Sequence, residues 1–205
     1  MNLRTQAIVV AARSHGEHGT IARLLTPADG LQAGYVRGGR GRQLRPVLVP
    51  GNLVQATFRG RVAAQLPALT LELVRSRAPL LAEPLAAAAV EWGTGLIAAA
   101  LPEGQPYPAI HAALDGLLAA LEAAPGARAW APALVRFELL ALGQLGYGLD
   151  GAEAAELAGA SDWHAIHRAL LRTGAGFEAG LIPDRRASVL EARARLTDRV
   201  ARLAA

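Results

Sequence analysis

Residues 36–61 read VRGGRGRQLRPVLVPGNLVQATFRGR: a glycine-rich turn over residues 38–41, then a short strand with an arginine tip. The stretch holds Arg37, Arg40, Arg42, Arg45, Arg59 and Arg61 and contains neither Asp nor Glu. Each guanidinium is a planar fork of donors that matches phosphate oxygens two at a time. Six of them without a balancing carboxylate repel one another, and a polyanion relieves that repulsion. Glycine at 38, 39 and 41 lets a backbone approach closely and bare its amides to the same anion.

Working outward, apolar and polar side chains alternate from Thr5 to Arg77, with turn residues interrupting the pattern. The alternation predicts strands over 6–13, 20–25, 31–37, 52–59 and 68–75. Val54, Ala56 and Phe58 share a face of the fourth, and Leu69, Leu71 and Leu73 are expected to point inward from the fifth. Five short strands suit a small closed barrel, which leaves no edge to aggregate. Tyr35 and Phe58 both fall on apolar faces, so both are expected in the core. The barrel would then hold a nucleic acid by charge and leave its bases free.

Beyond residue 78 the apolar period lengthens to three or four and β-branched residues thin out. Helices are predicted over 83–100, 108–124, 131–146, 152–157, from the cap at Ser161 and Asp162 to about Thr173, and over 187–203, with Pro-rich breaks between the first three. In the last, Val189, Ala192, Leu196, Val200 and Leu203 form one stripe. Glu191–Arg195 and Asp198–Arg202 are spaced for salt bridges on its other face. The expected class is α+β: a five-stranded barrel over residues 1–77, then an all-α helical bundle over 78–205.

Charge divides the same way. Residues 1–77 carry 11 Arg against three acids (Glu17, Asp29, Glu72), a net +8; residues 78–205 carry 10 Arg against 14 acids, a net −4, which together give the +4 of the whole chain. The basic half therefore points to nucleic acid, and Arg13 and Arg23 join the six arginines above as candidate phosphate contacts. Cysteine is absent, which excludes disulfides, thiol catalysis and thiolate zinc. No apolar run approaches the roughly 20 residues of a membrane helix, and the opening residues read as a strand rather than a leader. A cytoplasmic protein is expected. The pairs His15/His18 and His164/His167 fall short of the three or four ligands zinc needs. No P-loop, nucleophile elbow, HExxH or dinucleotide motif occurs, so neither catalytic residues nor a cofactor is expected. On the third helix Arg136 sits among apolar neighbours. It reads either as a strut for Glu138 or as an anchor, with Arg128 as second clamp, for an acidic peptide of a partner.

With these segments laid out, the chain resembles the RecO family of recombination mediators. The resemblance rests on residues 16–19 (GEHG), 25–27 (LTP) with Gly30, 36–40 (VRGGR), 50–54 (PGNLV), 101–108 (LPEGQPYP), 136–139 (RFEL), 145–150 (LGYGLD) and 192–199 (ARARLTDR). It implies an N-terminal OB-fold and a C-terminal helical domain. It further implies binding of single- and double-stranded DNA, strand annealing, and loading of RecA onto gaps coated with single-strand-binding protein (SSB). RecR, RecF and the acidic C-terminal tail of SSB are the implied partners, in a cytoplasmic, nucleoid-associated setting. Many members carry a four-cysteine zinc module just after the stretch matching Leu149 and Asp150, and this chain has no cysteine there. From the residues alone, an RNA- or ribosome-associated assembly factor and a module binding an acidic protein are the other readings.

Overall fold

The alternation of the first 75 residues resolves into five strands: β1 (Asn2–His15), β2 (Gly19–Thr26), β3 (Gly30–Val36), β4 (Leu53–Arg59) and β5 (Ala68–Arg75). The structure is a computed structural model and describes residues 2–60, 65–124, 126–181 and 187–205. The strands close in the order β1-β2-β3-β5-β4, with β4 returning to β1. All pairs are antiparallel except β3 with β5, which meet in parallel at Tyr35 and Ala68. This is the five-stranded OB-fold barrel. β1 is long enough to serve both neighbours. Its first half pairs with β4, its second with β2, and the register slips between Val9 and Ala11, where the strand bends from one partner to the other.

The barrel interior is filled by Ala7, Val9, Ala22, Leu24, Val36, Val54, Ala56, Phe58, Leu69 and Leu71, all buried. Two expectations need correction here. Tyr35 is not in this core. Val36 takes the interior position, so its neighbour Tyr35 stands on the outer face, half-buried. Gly34 is interior too, and a Cβ there would come within 2.7 Å of Leu69 Cβ, so the glycine makes room for bulk supplied from β4 and β5. When both faces of a strand carry apolar residues, period two cannot say which is inside. Leu73 is also misplaced, at 44 % exposed. The interior ends at Leu71, and the β4–β5 register shifts between Leu53 and Val54, opposite the end of β5.

Residues 37–52 connect β3 to β4 through successive tight turns. Their second half is more than an exposed loop: Leu44 and Val47 pack on the barrel core and Leu48 is buried within it. Burial of a leucine contributes about 2 kcal/mol. Asn52 fastens this plug. Its buried amide donates to the carbonyls of Pro46 (2.9 Å) and Val47 (3.2 Å), while its oxygen accepts from the Arg77 N–H (2.8 Å). Arg77 is a buried strut that also donates to the Gly51 carbonyl. The barrel unit comprises residues 1–82 and 101–108. Its second segment attaches where Glu103 bridges Leu31 and the Gly104 N–H donates to the Leu31 carbonyl at 3.0 Å.

The second unit, residues 83–100 and 109–205, is helical. It contains α1 (Pro84–Ala100), α2 (Pro108–Ala123), α3 (Ala127–Gln144), α4 (Gly151–Ala158), α5 (Trp163–Gly176), continued by a π-turn at Phe177–Leu181, and α6 (Ala187–Ala204). The Glu83, Asp150 and Asp162 carboxylates cap α1, α4 and α5 by accepting backbone N–H groups. α3 starts four residues earlier than the sequence suggests, because Pro132 is accommodated inside it. So near the start a proline forfeits a single backbone bond.

α6 turns a charged residue inward. Arg193 is only 6 % exposed, and its Nε and Nη2 donate to the Glu138 carboxylate on α3 at 3.1 and 2.9 Å. Glu138, fully buried, also accepts from Trp92 Nε1 on α1 (2.7 Å) and from the Thr173 hydroxyl on α5. The guanidinium lies 5.5 Å from the ring centroids of both Trp92 and Phe177. One ion pair thereby ties four helices together. Arg195, expected beside Glu191, instead donates to Glu91 on α1 at 2.9 Å, and Leu203 ends the apolar stripe exposed.

Candidate nucleic-acid interface

The arginine-rich turn is shaped by its glycines. Gly38 has φ +70°, a left-handed conformation that glycine adopts without strain. A Cβ on Gly39 would sit 2.7 Å from the side chain of Thr20, so glycine lets the turn lie directly on β2. The approach leaves a groove of about 530 Å³, floored by Ala12, Ser14 and Thr20 and walled by Gly39, Arg40 and Arg45. The Arg45 N–H closes a helical turn onto the Gly41 carbonyl at 3.0 Å. Arg40 Nη1 donates to the carbonyls of Glu17 (2.9 Å) and Gly16 (3.4 Å), which pins the guanidinium at the mouth of the β1–β2 turn. Carbonyl contacts orient a guanidinium without cancelling its charge.

Of the eight arginines expected to meet phosphate, the groove gathers two, Arg40 and Arg45. Arg37 and Arg42 are exposed on the same turn. Among the described residues no carboxylate lies within ion-pair distance of these four. Arg13 is exposed on β1 between Ala12 and Ser14, which line the groove, so alternation puts it on the opposite side of the strand. Arg59 is exposed at the end of β4. Arg23 is engaged within the barrel unit: its Nη2 lies 3.3 Å from the Glu103 carboxylate and its side chain is 24 % exposed, so it fastens the 101–108 segment. Arg61 lies outside the described residues.

In the helical unit Arg128 and Arg136 are exposed on α3, separated by about 12 Å of helix axis at 1.5 Å per residue. Arg136 is not the strut of Glu138, a role taken by Arg193. Sequence spacing missed Arg193 because its partner Glu138 is 55 residues away, and it missed Asn52 because the bond that joins it to the Arg77 N–H spans 25 residues. For zinc, the thiolate donors are lacking altogether, and Asp150 caps α4 at the corresponding point. Among the described residues no group of three or more His, Asp or Glu side chains could hold a metal. No described helix is long and apolar enough to cross a membrane.

Two family models match the chain: recombination protein O N terminal over residues 1–77 and recombination protein O C terminal over residues 82–201. Among curated relatives, the chain is similar to the DNA repair protein RecO of Rhodospirillum centenum, 44 % identical over 151 residues, covering 73 % of this chain and 59 % of the relative. The protein of that name from Phenylobacterium zucineum is 41 % identical over 151 residues (73 % and 61 %), and that from Rhizobium rhizogenes 39 % over 155 residues (76 % and 59 %). The chain thus spans about three-fifths of the length of these relatives.

Proposed function

The chain belongs to the recombination protein O family, and from that premise we propose that it is a DNA repair protein of the RecF recombination pathway that binds DNA through its barrel. The observation that carries this reading is the groove walled by Arg40 and Arg45, with Arg37 and Arg42 on the same turn and, among the described residues, no carboxylate within ion-pair distance of the four. Cations held apart from counter-charges release the counterions condensed on a polynucleotide, which drives sequence-independent association. Such binding suits a mediator that captures single and double strands, anneals complements and assists RecA on SSB-coated gaps. It acts without making or breaking covalent bonds, in the cytoplasm at the nucleoid. RecR and RecF are its expected partners, and exposed Arg128 and Arg136 are suited to the acidic tail of SSB.

The test is a salt titration. Each phosphate contact on a single strand contributes about 0.7 to the slope of log affinity against log salt. Changing both Arg40 and Arg45 to Ala should therefore flatten that slope by about 1.4 and weaken binding evenly across sequences. An unchanged slope removes the groove from the interface. Tighter binding to structured RNA than to either DNA form would favour the ribosomal reading.

A further inference from the structure

Strand register brings a row of side chains together on the outside of the barrel. Arg13 on β1 lies opposite Ile21 on β2, and Ile21 opposite Tyr35 on β3. Tyr35 lies opposite Ala68 on β5, and Ala68 opposite Arg59 on β4. Directly paired residues project to the same side of a sheet. Val36 and Phe58, the neighbours of Tyr35 and Arg59, fill the interior, so the row faces outward. An aromatic ring is thereby centred between two arginines, each two strands away, or about 10 Å at the usual strand spacing. Both arginines are exposed, and among the described residues no carboxylate pairs with either.

The ring has a companion. His15, exposed at the end of β1, meets Tyr35 edge-on, with centroids 6.1 Å apart and planes at 81°. Together with Gly16 and Glu17 of the β1–β2 turn they line a depression of about 410 Å³. Gly19 lies opposite His15, and a Cβ there would be 2.3 Å from the Tyr35 ring. The ring therefore rests on bare backbone, a packing that shields the glycine. That role accounts for one face of Tyr35. It leaves unexplained the exposed His15, the depression and the flanking arginines.

We propose that this is a nucleobase subsite: an unpaired base of DNA stacks on Tyr35 beside His15, and Arg13 and Arg59 hold the phosphates to either side. The face formed by β2 and β3 together with the β1–β2 turn is where an OB barrel can engage an oligonucleotide, and stacking tolerates any base because each has a π-face. Bases in a duplex are already stacked and cannot enter, so the subsite favours single strands. This rests on the DNA-binding reading above and adds the contact to the base.

The experiment measures fluorescence anisotropy of the full chain on an oligothymidylate and on an abasic oligomer of equal length and charge. Wild type should prefer the thymidylate about fivefold or more, the value of one stacked base. Tyr35→Leu should erase the preference without altering the salt slope, Tyr35→Phe should keep it, and His15→Ala, which removes an exposed side chain and leaves the fold intact, should reduce it. Equal binding of both oligomers by wild type, or a preference that survives both Tyr35→Leu and His15→Ala, overturns the subsite while DNA binding stands. Absence of binding to either oligomer overturns the DNA reading beneath it.

Discussion

Replacing Glu138 with Ala would strand a guanidinium in the interior of the helical unit. Arg193 is 6 % exposed and Glu138 fully buried, so water cannot substitute for the lost carboxylate. Trp92 Nε1 and the Thr173 hydroxyl lose their acceptor in the same step. Breaking one side of a buried pair costs about 3–5 kcal/mol, chiefly for the uncompensated charge. For a unit of this size, that corresponds to a fall in Tm of roughly 10 °C or more. All three tryptophans (Trp92, Trp130, Trp163) lie in the helical unit, so urea unfolding followed by tryptophan fluorescence reports that unit alone. The double variant Glu138→Leu with Arg193→Met should recover much of the loss, because a packed apolar pair needs no counter-charge. A cost below about 1 kcal/mol for Glu138→Ala would refute the reasoning, as would a double variant as unstable as the sum of its singles.

Two further outcomes follow from single contacts. Asn52→Ala removes the side-chain hydrogen bonds to the Pro46 and Val47 carbonyls and from the Arg77 N–H. It should cost the barrel about 2–4 kcal/mol, read by chemical unfolding, and on the proposed DNA-binding role it should weaken binding through the displaced turn, read by anisotropy. His111 on α2 has a pKa lowered by desolvation, partly opposed by the Asp115 charge, and its buried Nε2 has no hydrogen-bond partner among the described residues. The unfolded chain therefore takes up this proton first as pH falls through 6.5. Stability should drop across that interval and level off below the folded pKa, and His111→Leu should make the decline shallower in a pH series of unfolding curves.

Period and punctuation sufficed for much of the fold. The alternation of β1–β5 and the three-to-four spacing after residue 78 are local properties, since each strand or helix must bury one face whatever it packs against. The acid-free run of arginines from Arg37 to Arg61 was equally legible, because net charge is a property of composition. Side was not legible. Tyr35 was expected inside and stands outside because the interior already holds Val36 from its own strand and Phe58 from β4. Arg23 and Arg42 look alike in the chain, yet only Arg23 meets an acid, Glu103, which is 80 residues away. Arg136 has apolar neighbours in the chain and Arg193 lies in the charged run 191–195, yet it is Arg193 that faces Glu138, which depends on how α3 and α6 dock.

By itself, then, the chain determined an arginine-bearing barrel followed by helices, with a surplus of positive charge on the first. Tertiary structure alone decided which guanidinium groups are spent on internal carboxylates and which stay exposed, and which aromatic ring leaves the core. The physical reason is that pairing and burial depend on distances between elements remote in sequence, which no local pattern encodes.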